Sequence, residues 1–321
     1  MKLKVFILIH VLSFYFLSVR AQKSGFKIVG YYSLHSALEN SKNVHLNRLT
    51  HVNLWFFNPD TLGNFTGDLS ALKSFVNRAH RKNVKVLFSI GGGGDHPYYH
   101  SLLKTGTREN FINNLLAEVL KYNIDGIDVD LEGSDIDENY ESFVMELARA
   151  LKSQNKLITA AIAVYYKDQL SDNVLAQYDF VNIMCYDRTG PWRPENPGPH
   201  STYAHAVEDL DYFGTVRNIP RQKMTLGVPF YGYGFGPQIS SPVISMDYRE
   251  IVSSFPGSES KDRWDMTGGK IIYYNGIPTI MKKTDLAKEK AGGIMIWQIE
   301  GDARGSKSLL KAINKAAYAK K

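Results

Sequence analysis

Short apolar runs rich in β-branched and aromatic residues alternate along the chain with longer stretches whose apolar positions recur at helical spacing. The strand-like runs are Lys27–Tyr31, His51–Phe57, Lys85–Ile90, the stretch 125–132, Leu157–Ala163, Phe180–Cys185, Lys223–Val228 and Gly293–Trp297. Between them the spacing predicts a helix near Leu69–Arg81, with Leu72, Phe75, Val76 and Ala79 on one face. Others follow near Arg108–Lys121 and Tyr140–Ser153, and a closing helix near Ser306–Ala317. Eight strands, mostly each followed by a helix, predict an α/β fold of the (β/α)8 TIM-barrel kind. An open doubly wound sheet would place a phosphate-binding turn after its first strand, and Tyr31-Tyr32-Ser33 offers none. Between the seventh and eighth strands, residues 233–290 read as a small α+β insertion. It is expected to hold a short helix at Met246–Phe255 and a hairpin of Lys270–Asn275 with Pro278–Lys282 over Gly276.

The fourth strand-like run departs from ordinary core chemistry. It reads Asp125-Gly126-Ile127-Asp128-Val129-Asp130-Leu131-Glu132. On a strand the side-chain period is two, so Asp128, Asp130 and Glu132 share one face and Ile127, Val129 and Leu131 the other. Successive acids then stand roughly 6–7 Å apart. Carboxylates at that spacing repel, so some must hold protons above their usual pKa, which keeps an acid available as a donor near neutral pH. Asp125 has the opposite parity and is expected to position the strand start. A calcium loop beginning at Asp128 fails, because Asn139 stands where the bidentate Glu is needed and Ile136 at the ninth position. In a barrel, functional residues gather at the C-terminal strand ends. Glu132, Tyr186 with Asp187, Tyr231 and Trp297 all follow such ends, so they converge on one mouth.

The first residues add a location. Lys2 and Lys4 precede an apolar run from Val5 to about Ser18, then Val19-Arg20-Ala21. This pattern reads as a signal peptide, residues 1–21, leaving 22–321 as the mature barrel, secreted or periplasmic. The chain carries 38 basic and 32 acidic residues, +6 in all. Without Lys2, Lys4 and Arg20 the charge falls to +3, too weak and scattered for nucleic acid. No later stretch is long and apolar enough for a membrane. The lone Cys185 excludes an internal disulfide and reads as a core residue, so the barrel must be held by its core, as suits a periplasmic protein. Asn64-Phe65-Thr66 is a glycosylation sequon. His96, His100, His200 and His205 lack zinc-like spacing, and Gly91–Gly94 lacks the Lys and Ser or Thr of a phosphate loop, so no metal and no cofactor is expected.

The run 125–132 resembles the D-G-x-D-x-D-x-E signature of glycoside hydrolase family 18, the chitinase-like barrels. Ser89-Ile90-Gly91-Gly92, Met184-Cys185-Tyr186-Asp187, Gly227-Val228-Pro229-Phe230-Tyr231-Gly232 and Gly292-Gly293-Ile294-Met295-Ile296-Trp297 resemble the family's segments on strands three, six, seven and eight. The resemblance spans essentially the whole mature chain. It implies that Glu132 is the general acid and later the base, that Asp130 holds the substrate's acetamide N–H, and that Asp128 shares a proton behind it. It implies that Tyr186 donates to the acetamide oxygen and Asp187 binds a distorted sugar, with retention at the anomeric centre. The family is an exception to the two-carboxylate scheme, because the substrate's 2-acetamido group serves as nucleophile. Trp297 would floor the sugar subsite, with Tyr31, Phe56, Met184, Met295 and Tyr231 completing it and Trp192 extending it. The expected partner is a polymer or oligomer of N-acetylglucosamine, bound by a monomer.

Three departures qualify the resemblance. Gly93 stands where the family often has an aromatic, Ser33-Leu34-His35 lacks a Trp common after the first strand, and the insertion is short. They imply a shallow cleft with few stacking platforms and weak processivity. An endo-β-N-acetylglucosaminidase acting on N-glycan chitobiose cores shares the acid signature, but the complete Met184–Asp187 motif and Trp297 favour the chitinase branch. A non-catalytic chitin-binding lectin would usually lack the acid equivalent to Glu132.

Overall fold

The computed structural model describes residues 25–39 and 44–319, so the expected signal segment 1–21 lies outside the described residues. Among those described, no helix is long and apolar enough to cross a membrane. The strands are β1 (Lys27–Ser33), β2 (His51–Trp55), β3 (Lys85–Gly91), β4 (Gly126–Asp130), β5 (Leu157–Ile162), β6 (Phe180–Ile183), β7 (Met224–Pro229), β8 (Tyr231–Phe235), β9 (Ile244–Asp247), β10 (Arg263–Asp265), β11 (Ile271–Tyr273) and β12 (Gly293–Trp297). Eight of them close a parallel barrel in the order β1-β12-β7-β6-β5-β4-β3-β2.

Alternation decides the two faces of each barrel strand. On β4 and just past it, Ile127, Val129 and Leu131 are buried outward against the helix layer, and Asp128 and Asp130 are buried toward the interior. The helix Tyr140–Ser153 meets that outer face with Phe143, Val144, Leu147 and Leu151, recurring every three or four residues as the 3.6-residue turn requires. Inside, the barrel is unusually polar for a packed core. Ser89, Asp128, Thr159, Asn182 and Thr225 are all fully buried there, below a cluster that includes Tyr31, Tyr186 and Met295.

The insertion departs from expectation in one respect. β11 does pair within a small antiparallel sheet, order β10-β11-β8-β9, but residues 278–282 form no strand. Ile277–Lys290 is a helix packed on β7, β12 and the closing helix Leu309–Tyr318. Pro278 lies in its first turn, where a missing N–H costs nothing and the fixed φ suits the helix. Ile280, Lys283, Thr284 and Ala287 then bury one face. The segment outside the barrel therefore closes at Gly276.

Asp125 sits at the opposite end of the barrel from the mouth. Its carboxylate accepts from His80 Nε2 at 2.7 Å, Lys85 Nζ at 2.9 Å and the Val86 N–H at 2.8 Å, which fastens the start of β4 to β3.

Candidate active site

β4 supplies the two deepest acids. Asp128 is fully buried, and its two oxygens accept four hydrogen bonds: from Tyr31 at 2.6 Å, Ser89 at 2.9 Å, Thr159 at 2.5 Å and Asn182 at 3.1 Å. Burial raises its pKa, and the donors from Thr159, Tyr31 and Ser89 pull it back. Asn182 is itself held by Thr225, so strands β1, β3, β5, β6 and β7 all converge on one carboxylate. Replacing Asp128 by Asn puts donors against donors in a dry layer. The expected result is a loss of about 1–3 kcal/mol, the cost of leaving buried polar groups unpaired, read as a lower urea midpoint. An unchanged midpoint would show that the network does not depend on a carboxylate acceptor.

Asp130 is treated very differently. It is 3% exposed, and its Oδ1 is buried without a hydrogen-bond partner. Burial, then Glu132 and Asp128, hold its pKa well above the carboxylate range. Its backbone packs against Gly91, whose φ is +94° and where a Cβ would stand 2.5 Å from the Asp130 carbonyl oxygen. Only glycine fits that turn. Gly92, φ +106°, similarly leaves room for the Phe56 ring.

Glu132 lies just beyond β4 with extended backbone, so it keeps the parity of the two aspartates. Burial, then the charges of Asp187 and Asp135, push its pKa up to about 7. Asp135 is tied to the loop after β3, accepting from His96 Nδ1 at 2.9 Å and from its backbone N–H at 3.3 Å. Ser134 donates to Asp95 at 2.5 Å across the same gap.

The opposite wall comes from the segment after β6 and the start of β8. Tyr186 is buried, edge-on to Tyr231, with its hydroxyl 3.8 Å from Met295 Sδ. Asp187 has φ +62°, accepts from Tyr231 at 2.5 Å and lies 3.3 Å from His200 Nδ1. Trp297 stacks on Phe56 with ring centroids 5.7 Å apart and also meets Tyr31 and Trp55.

These groups surround a cavity of about 820 Å³. Glu132, Asp130, Tyr186, Asp187, Trp297, Phe56, Met184, Trp192 and Gly93 line it. Tyr31, Met295 and Asp128 do not; they lie a layer deeper, because inward residues earlier on their strands point into the packed interior. Tyr231 also stands behind the wall, holding Asp187. Tyr165, Tyr166, Arg193 and Asp95 line the cavity without having been expected. The Tyr pair directly follows β5, a position that a reading by strand ends could have flagged. His200 carries no comparable signal, since it lies 13 positions along the chain from Asp187 and reaches it only by the folding of the loop between them.

The chemistry available is specific: a proton donor poised near neutral pH, a buried acid beside it with one oxygen unpartnered among the described residues, a tyrosine hydroxyl opposite and an aromatic floor. A second cleft of about 840 Å³, between the helix Tyr248–Ser254 and the loop after β12, is lined by none of these acids.

The Glycosyl hydrolases family 18 model matches residues 27–302. Chitinase-3-like protein 2 of Homo sapiens is 26% identical over 73% of this chain and 74% of its own length. Chitinase A1 of Niallia circulans is 24% identical over 76% of this chain, which spans 45% of that longer protein. The crystal structure of the GH18 chitinase ChiB from the chitin utilization locus of Flavobacterium johnsoniae superposes with a TM-score of 0.81 at 34% identity, covering 91% of this chain and 94% of that one.

Proposed function

The chain belongs to glycosyl hydrolases family 18, and from that membership we propose that it is a retaining hydrolase of β-1,4-linked N-acetylglucosamine, acting on chitin or chitooligosaccharides through the substrate's own 2-acetamido group. The observation that carries the reading is the pair formed by Asp130, buried with an unpartnered oxygen, and Glu132, whose pKa is about 7, in one cavity. The likeness to a chitinase from a chitin utilization locus supports the substrate class.

In this mechanism a sugar sits on Trp297. Protonated Glu132 gives its proton to the glycosidic oxygen as the bond to the anomeric carbon breaks. The acetamido oxygen attacks that carbon from the opposite face and forms an oxazolinium ion. Asp130, whose free oxygen faces no protein donor, accepts from the acetamide N–H, and Tyr186 donates to the acetamido oxygen. Water then attacks the anomeric carbon from the side the leaving group left, Glu132 takes its proton, and the two inversions give retention. Asp187, aimed by Tyr231 and His200, holds the distorted ring.

The test is incubation of the purified protein with chitotetraose and, separately, with a high-mannose N-glycopeptide, read by mass spectrometry. Cleavage of chitotetraose supports the proposal. Cleavage of the glycopeptide alone moves the protein to the glycan-releasing branch, and binding of chitotetraose without cleavage makes it a lectin. With Gly93 open to the cavity and offering no aromatic platform there, crystalline chitin is expected to yield scattered internal cuts. A single product series with few new internal ends would contradict that.

The acid's pKa gives a pH prediction. Glu132 must be protonated to begin the reaction, so kcat/KM falls as pH rises through about 7. Asp135 does not line the cavity, yet its charge helps keep that proton on. Asp135→Asn removes a nearby negative charge, lowers the Glu132 pKa and moves the alkaline limb to lower pH. A limb that stays in place, or moves up, refutes this assignment of the cause.

A further inference from the structure

Lys283 follows Lys282 directly in the sequence, and it is fully buried. It lies on the barrel helix Ile277–Lys290 and its ammonium uses all three donors: to the Ser201 carbonyl at 2.9 Å, Ser201 Oγ at 2.7 Å and Asn275 Oδ1 at 2.8 Å. Among the described residues no carboxylate forms an ion pair with it. A cation buried without a partner carboxylate is expensive, and an apolar side chain of the same size would fill the space more cheaply. Its three acceptors show what the cation holds instead.

Ser201 ends the excursion that begins at Asp187. Ser201 Oγ donates to the Cys185 carbonyl at 2.7 Å, the Arg188 N–H to the His200 carbonyl at 3.0 Å, and Thr189 Oγ1 to the Gly198 carbonyl at 2.7 Å. The loop is thus stitched to itself, and its far end is pinned by Lys283 and by Asn275 Nδ2, which donates to the Ser201 carbonyl at 2.8 Å. Asn275 lies at the end of the inserted segment, next to Gly276. One ammonium therefore joins the end of β6, the insertion and the barrel helix.

The geometry points to Lys283 as the positioning residue that fixes loop 187–201, and through it Asp187 and Trp192, against the N-acetylglucosamine oligomer. This rests on the substrate reading above. The ionisable groups facing Lys283 are Cys185 from the end of β6, Asp209 and His205 from the helix Tyr203–Asp211, and Asp262 from the insertion. Asp209 is already engaged by Arg188, and Asp262 accepts from Gly276 and Thr279, so none neutralises the ammonium by contact. Burial lowers its pKa to about 8, which puts loss of the anchor within reach of mild alkali.

The experiment compares Lys283→Met with the parent, both carrying Glu132→Gln so that substrate is not consumed. Hydrogen exchange is read by mass spectrometry and chitotetraose binding by calorimetry. The expected result is at least tenfold faster exchange confined to 187–201, with at least tenfold weaker binding. The parent's binding also weakens between pH 7 and 9.5, and the variant's does not. Unchanged loop exchange and affinity overturn the proposal, as does exchange that rises equally throughout the barrel strands. If Lys283→Met does not fold, the parent alone decides: between pH 7 and 9.5 the loop amides must gain more exchange than the chemical rate supplies, and no excess overturns the anchor. A parent that binds no chitotetraose while its loop exchange still responds defeats the substrate reading and leaves the anchor standing.

Discussion

Glu132→Gln loses between about 10²-fold and 10⁴-fold in kcat on chitotetraose, the range expected when a positioned general acid is removed. Glutamine keeps the shape and hydrogen-bonding reach of the side chain and has no proton to give. Glu132 lies in the cavity beside Asp130 and opposite Tyr186, so no neighbouring group takes over in place. Asp187 is engaged by Tyr231, and Asp135 does not line the cavity. Chitotetraose affinity stays within a few-fold, because the aromatic floor and Asp187 are untouched. Initial rates and calorimetry on the same preparation separate the two quantities. A fall in kcat of less than tenfold removes Glu132 from the acid role.

Asp130→Asn separates activity from stability in the opposite sense from Asp128→Asn. Asp130 has no protein donor on Oδ1, so an amide there breaks no hydrogen bond that the fold supplies. Its folded-state pKa lies well above the unfolded value of about 3.9. The folded state therefore binds the proton more tightly than the unfolded state, and stability falls as pH rises from that unfolded value to the raised folded one. Asparagine does not titrate and escapes this loss. The variant is expected to melt no lower than the parent near pH 4 and increasingly above it as pH climbs. Its kcat falls by about 10²-fold or more, since the acetamide N–H then faces an amide that can rotate a donor toward it. Melting curves across pH 4–8 with rates at each pH test both halves. A variant that keeps its activity sinks the role of Asp130 in holding the acetamide. One less stable than the parent at every pH shows that the carboxyl was a structural acceptor, like Asp128.

The contrast between these two aspartates marks how far the sequence reaches. Alternation alone puts Asp128, Asp130 and Glu132 on one face and Ile127, Val129 and Leu131 on the other, because the strand period is a local property of the backbone. The same local rules give all eight barrel strands to within two residues at each end, and the helices 108–121 and 140–153 at their observed limits. Where local signals compete, the tertiary structure decides. Residues 278–282 suit a strand as well as a first helical turn, and packing on β7 and β12 selects the helix. The sequence likewise shows three acids in a row without saying which one is satisfied. That depends on Tyr31, Ser89, Thr159 and Asn182, which come from four other strands and meet Asp128 only when the barrel closes. Asp130, two residues further on, rises past those donors and is left bare toward the cavity. His200 behind Asp187 and Lys283 beneath Ser201 are of the same kind. A histidine and a lysine have no periodicity of their own, and their partners are fixed by loops brought together across the barrel, so only the folded chain assigns them.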